Sequence, residues 1–113
     1  LVFDAFVPSL SMLTRADGVR QPVGSFGLGP DAPSVEETID YDPIAQVSRV
    51  EWFWSRPGEP DFWRHRLDMR QIFPQEMPVL VAFGGLRLLE RFGGFDRSPL
   101  TARSHRQICI CGR

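Results

Sequence analysis

Three consecutive strand-like segments constrain the fold of this chain more than any other feature. Residues 34–41, 46–55 and 62–71 are rich in β-branched and aromatic side chains, and short turns that contain Asp, Pro and Gly separate them. Segments of this length with such short connections pair with their neighbours in opposite directions. The sequence therefore predicts an antiparallel meander over residues 34–71.

The two faces of this meander are predicted to differ in chemistry. Side chains alternate between the faces of a strand, so Trp52 and Trp54 share one face. In the last segment Trp63 belongs to a hydrophobic face. Arg64 and Arg66 belong to the opposite, arginine-rich face. An aromatic face therefore backs a charged one.

Residues before the meander are predicted to form one strand and a surface excursion. The apolar run at residues 1–7 is typical of a short strand that is buried on both faces and lies centrally in a parallel arrangement. Glycines and prolines interrupt residues 9–33 and leave room for a short strand at residues 19–28.

Residues after the meander are predicted to form a helix and two strands. The helix covers residues 74–83 and ends at Gly84, and Pro78 makes it either start later or kink. Residues 86–92 and Arg106–Gly112 are predicted to close the fold as an antiparallel pair.

Composition limits the classes of function. The chain has 113 residues, 42% of them hydrophobic, which suits one domain or part of one. A formal net charge of −1 without runs of like charge disfavours a nucleic-acid or anionic membrane partner. No apolar stretch approaches the roughly 18 residues that span a bilayer, and we expect a cytoplasmic protein.

Single reactive side chains give weak signals. Cys109 and Cys111 resemble half of a zinc site, but burial of two reduced thiols in a final strand is the better interpretation, and we predict no metal. His65 and His105 have the chemistry of a general base, yet nothing in the sequence orients them, so we assign no catalytic residue. Asp96 precedes a Ser-Pro pair, which favours a turn over a ligand contact.

Three stretches carry a resemblance to a known family. Residues 73–77 read Phe-Pro-Gln-Glu-Met, residues 94–99 read Gly-Phe-Asp-Arg-Ser-Pro, and residues 104–113 end in a hydrophobic strand with basic neighbours. Together with the opening run at residues 1–8, they resemble the end of many bacterial class I S-adenosylmethionine-dependent methyltransferases. The resemblance covers nearly the whole chain and is weak over residues 9–33.

The resemblance implies the C-terminal part of an α/β, Rossmann-like mixed sheet with an antiparallel β insertion. Residues 1–7 would be a central strand, residues 8–72 a substrate-side insertion, and residues 73–113 a helix and closing strand pair. In such enzymes a glycine-rich turn holds S-adenosylmethionine in the first half of the sheet. The glycines at residues 24–29 have no strand before them and no helix after them, so we expect no cofactor-binding residue in this chain.

The function implied is transfer of a methyl group from S-adenosylmethionine to a small-molecule acceptor. This chain would contribute acceptor contacts, for which we select Trp54, Arg64 and Arg66, and would be inactive alone. It begins within an apolar run and without a methionine, so we expect a fragment or processed product that pairs with an upstream donor-binding half.

Purely structural interpretations of the same residues stay open. The tryptophans suit a packed sheet face, and the arginines suit a solvated face paired with Glu51 or Asp68. A non-catalytic binding or dimerisation module, associating through the edge beside residues 1–7, is an alternative to the enzyme fragment. A small antiparallel barrel with an aromatic ligand cup is another.

Overall fold

A computed structural model describes residues 1–113, which group into two compact units. The first unit comprises Leu1–Ser9 and Gln71–Arg113, and the second comprises Leu10–Arg70. The second unit falls within the predicted insertion. In chain order, the elements are β1 (Val2–Phe6), α1 (Leu10–Leu13), β2 (Gln21–Ser25), β3 (Ser34–Asp42), β4 (Val47–Arg56), β5 (Glu59–Arg70), α2 (Met77–Phe83), β6 (Arg87–Phe92) and β7 (Arg106–Gly112).

The first unit contains a three-stranded sheet in the order β1-β7-β6. Strand β7 pairs antiparallel with both neighbours, so β1 and β6 run in the same direction. Strand β1 was predicted to be central and buried on both faces, but in this sheet it lies at an edge. Phe3 and Ala5 lie on the face that packs on the core, whereas Val2 and Phe6 alternate to the opposite face and stay 66% and 60% exposed.

The core of the first unit lies between α2 and β7. Met77 and Val81 are one helical turn apart, and both are buried against Cys109 and Cys111, which share one face of the strand. Burying side chains of this size stabilises a fold by about 1.5 to 3 kcal/mol each. The cysteines are free thiols in this core, as predicted.

Helix α2 begins later than its predicted start and ends where predicted. Pro78 occupies the first turn, where no intrahelical N–H donor is needed, so the helix begins at Met77 without a kink. At its end, Gly85 has a φ of +77° and donates its N–H to the Ala82 carbonyl at 3.0 Å. No helix in the structure has the length and apolar character needed to cross a membrane.

The second unit contains a four-stranded antiparallel sheet in the order β2-β3-β4-β5. The predicted meander is confirmed as β3, β4 and β5, and β2 lies within the range where a short strand was expected. The helix α1, which packs on β3, was not predicted. The strands form two separate sheets, so the chain is not a single antiparallel barrel, although β1 does pair in the antiparallel sense.

Candidate functional site

The four-stranded sheet presents an aromatic face. Its register places Trp54 opposite Trp63 and Trp52 opposite His65, so that all four rings lie on the same side of β4 and β5. The ring of Phe26, from the loop after β2, joins them at 5.3 Å from the Trp54 ring. These five side chains are called the aromatic face below.

Trp54 is the centre of the aromatic face. Its ring centroid lies 5.7 Å from that of Trp63 and 6.4 Å from that of Trp52. His65 extends the row, with its ring 5.7 Å from Trp63. Trp63 is 52% exposed and Phe26 is 46% exposed, so the row is open to a ligand along one side.

The two indole N–H groups at the middle of this row differ. Trp52 donates its Nε1–H to a Glu37 carboxylate oxygen at 3.0 Å, and Arg15 donates to the other oxygen of Glu37 at 3.1 Å. Trp54 Nε1 is buried and has no hydrogen-bond partner. An unpaired buried donor is costly, and because Trp54 Nε1 has almost no accessible surface, a ligand oxygen could accept its hydrogen bond only after neighbouring side chains move.

The opposite side of the sheet carries the charged face, built around Phe53. Arg20 forms a two-pronged pair with Asp61 at 2.9 and 2.8 Å, and its guanidinium carbon lies 3.7 Å from the Phe53 ring centroid. Arg64 covers the same ring at 5.1 Å. The hydrogen bonds from Arg20 lower the pKa of Asp61, which keeps this carboxyl charged.

The structure separates the three residues that the sequence selected for acceptor contacts. Trp54 lies on the aromatic face, whereas Arg64 and Arg66 lie on the charged face. Both arginines are largely exposed and only loosely paired, Arg64 with Asp61 at 3.9 Å and Arg66 with Asp68 at 3.6 Å. One pocket on one side of the sheet cannot use all three.

Of the remaining candidate residues, the cysteines and Asp96 have structural roles, and the two histidines have no assigned role. Cys109 is fully buried, and this burial raises the pKa of its thiol. Asp96 accepts the Ser98 backbone N–H at 3.0 Å, which is the turn chemistry predicted for it, and its bonds with Ser98 lower its pKa. His65 belongs to the aromatic face and His105 lies in the loop before β7. No group of three or more His, Cys, Asp or Glu side chains is placed to hold a metal ion.

Sequence reasoning missed the contribution of residues 10–26. Phe26 joins the aromatic face and Arg15 pairs with Glu37, the carboxylate that accepts from Trp52, although both residues come from the stretch interpreted as a surface excursion. Gly24 sits at an irregularity in the pairing of β2 with β3, where the backbone adopts a φ of +154°. An irregular strand of this kind gives no clear periodicity, so no pattern in the sequence marked these contacts.

Comparison with solved structures identifies the fold. The CcbJ methyltransferase from Streptomyces caelestis aligns over 97% of this chain with a TM-score of 0.75 and 22% identity. This chain has the fold of part of a methyltransferase. An S-adenosylmethionine-dependent methyltransferase from Clostridium acetobutylicum ATCC 824 also aligns over 97% of the chain, with a TM-score of 0.66 and 8% identity. The family resemblance inferred from the residues is thereby confirmed at the level of the fold.

The chain corresponds to less than half of each of these methyltransferases. It covers 44% of the Streptomyces protein and 42% of the Clostridium protein. No protein-family model and no curated protein matches the sequence. The mixed α/β structure with antiparallel sheets is therefore that of a partial methyltransferase fold.

Proposed function

We propose that this chain is the acceptor-side, C-terminal part of a class I S-adenosylmethionine-dependent methyltransferase. The observation that carries the proposal is the match of 97% of the chain to less than half of two methyltransferases. The donor-binding residues would then lie in a segment outside these 113 residues. Both strand pairings in the β1-β7-β6 sheet are antiparallel, so the mixed, Rossmann-like sheet that the resemblance implies would need parallel strands from that other segment.

The aromatic face is the acceptor surface in this proposal. Half-exposed rings of Trp63 and Phe26 flank Trp54, and flat apolar surface of this kind holds the carbon skeleton of a small molecule. The unpaired Trp54 N–H would orient one acceptor oxygen once neighbouring side chains move aside and expose it. Catalysis would come mainly from proximity, since methyl transfer needs the acceptor atom in line with the methyl carbon.

Arg64 and Arg66 keep a narrower role in the proposal. They would contact only an acceptor that extends an acidic group to the charged face, where an arginine fork recognises a carboxylate. Substitutions of Trp54 and of Arg64 therefore test acceptor binding at the aromatic face and at the charged face separately. An effect of Arg64→Ala on acceptor affinity, without one of Trp54→Phe, would move the acceptor surface to the charged face.

The test uses a longer protein in which this chain follows a donor-binding segment. That protein is expected to release S-adenosylhomocysteine from S-adenosylmethionine over a panel of small amines, phenols and carbon acids. Trp54→Phe is expected to raise KM for the acceptor without changing KM for the donor, with Arg49→Ala as the control on the charged face. The 113-residue chain alone is expected not to bind S-adenosylmethionine in calorimetry. Methyl transfer by the chain alone would contradict the proposal.

A second function is favoured by the open edge of β1. Leu1, Val2 and Phe6 are between 60% and 70% exposed beside a strand edge that has no partner in this chain. Such an edge is a template for pairing with another strand, so the chain would be a non-catalytic binding or dimerisation module. Sedimentation distinguishes the two: a stable dimer that Val2→Lys disrupts favours the module.

A further inference from the structure

A cleft in the first unit belongs to none of the surfaces described above. It has a volume of about 530 Å³ and is formed by the single loop, residues 93–105, that connects β6 to β7. Its lining includes Gly93, Phe95, Thr101, Arg103 and Ser104. The volume falls in the range of small-molecule sites, which is about 300 to 1,000 Å³.

Close packing within this loop defines the shape of the cleft. A Cβ atom at Gly93 would collide with the Ser104 hydroxyl oxygen and would lie 2.7 Å from the Pro99 carbonyl oxygen. Gly93 also donates its N–H to the Ser98 carbonyl at 2.8 Å. The beginning of the loop is therefore held against its later residues by direct backbone approach at the base of the cleft.

The hydroxyl groups of the cleft are arranged as donors. Ser104 Oγ accepts the Thr101 backbone N–H at 2.9 Å, and Thr101 Oγ1 accepts the Arg103 backbone N–H at 3.3 Å. Each hydroxyl oxygen thus has an N–H donor, and its own hydrogen is left to donate. Two O–H groups are consequently available to a ligand that presents acceptor atoms.

The charge of the cleft comes from one unpaired guanidinium. Arg106 also lines the cleft, but Asp4 pairs with it at 3.0 Å. Arg103 makes no ion pair, and no aspartate or glutamate lines the cleft. Asp96, in the neighbouring turn, is engaged by Ser98. One uncompensated positive charge beside two hydroxyl donors suits an anion with a single negative charge and two oxygens.

An exposed ring supplies the apolar part of the cleft. Phe95 is 72% exposed, although it is a large hydrophobic side chain. The Arg106 guanidinium carbon lies 5.0 Å from the Phe95 ring centroid, which fixes one side of that ring. Its other side is free to stack with a flat ring of a ligand.

We propose that this cleft binds a small aromatic carboxylate. The carboxylate accepts hydrogen bonds from the Arg103 guanidinium and from the Thr101 and Ser104 hydroxyls, and the aromatic ring of the ligand stacks on Phe95. The proposal does not rest on the proposed methyltransferase function, because none of these residues belongs to the aromatic face.

Titration of the chain with benzoate, followed by backbone amide chemical shifts in NMR, tests the proposal. Saturable shifts are expected at residues 93–106. Benzamide has nearly the same shape without the charge and should bind at least about tenfold more weakly, as expected for loss of one charge-assisted hydrogen bond. Equal affinity for benzoate and benzamide, no saturation, or shifts centred on Trp63 would each overturn the proposal.

Two variants and one control assign the contacts. Arg103→Ala should weaken benzoate binding by about tenfold, since it removes the only unpaired charge. Phe95→Ala should weaken benzoate but not acetate, which has no ring to stack. Arg49→Ala removes an exposed arginine from β4 and should change neither affinity. Benzoate affinity that Arg103→Ala leaves unchanged would place the ligand elsewhere. Both variant side chains are exposed, so the amide spectra should otherwise match that of the parent chain.

Discussion

The aromatic face and the charged face of the four-stranded sheet differ in how far a central aromatic ring is covered by other side chains. On the charged face, Phe53 is only 7% exposed because Arg20 and Arg64 lie over its ring. On the aromatic face, the large ring of Trp63 stays 52% exposed. Arginine side chains thus cover the Phe53 ring on the charged face, whereas the Trp63 ring on the aromatic face is left half open. A ligand or partner therefore has more to gain at the aromatic face.

The largest expected effect comes from removing the covered ring. Phe53→Ala leaves a cavity beneath two guanidinium groups and should lower the free energy of unfolding by about 3 kcal/mol. Chemical denaturation measures this loss, with Phe62→Ala as the control because Phe62 is 43% exposed. Equal losses of stability in the two variants would show that the arginine cover over Phe53 adds nothing to the stability of the fold.

The next effect separates the two central tryptophans. Trp52→Phe removes a hydrogen bond to the Glu37 carboxylate and should cost about 1 to 2 kcal/mol more than Trp54→Phe, whose indole N–H has no partner. The two substitutions remove the same atoms, so the difference in denaturation midpoint reports the hydrogen bond. A larger loss for Trp54→Phe would show that its N–H is paired in solution.

A smaller effect is expected for the exposed ring of the aromatic face. Trp63→Ala removes one aromatic contact with Trp54 and should cost about 1 kcal/mol, since much of the ring is already in water. The same substitution should reduce acceptor affinity in the longer enzyme. A stability loss as large as that of Phe53→Ala would mean that the aromatic face is covered rather than open.

The smallest effect at neutral pH is expected for Asp61→Asn, because the pair with Arg20 is near water and screened. The folded state lowers the pKa of Asp61, so the stabilisation is present above the unfolded value, near 3.8, and is lost as the pH falls through the lower folded value. Asn also tolerates the φ of +50° at this position. Stability measured by denaturation between pH 2 and pH 5 should therefore fall less steeply with acid in the variant than in the parent chain. Parallel acid profiles would show that Arg20 does not hold this carboxylate.

Much of the fold could be predicted because strand periodicity and turn residues are local. The meander, the final strand and the end of α2 at the glycine pair all follow from patterns within a few residues. The role of β1 was harder to predict: an apolar run shows that a strand forms, but its position in a sheet depends on which strands pair beside it. The candidate site was predicted only in part. Alternation along the strands predicted that Trp54 lies on one face and the arginines on the other, but it did not predict that arginine side chains cover Phe53.

The sequence by itself determined which side chains share a face, because alternation along a strand is a property of the covalent backbone. It also determined where the chain turns and where α2 ends. The tertiary structure decided which face is covered. Arg20 reaches Asp61 across 41 positions of sequence, and Arg15 reaches Glu37 across 22. Contacts between residues so far apart depend on how the whole sheet assembles, and no local pattern encodes them.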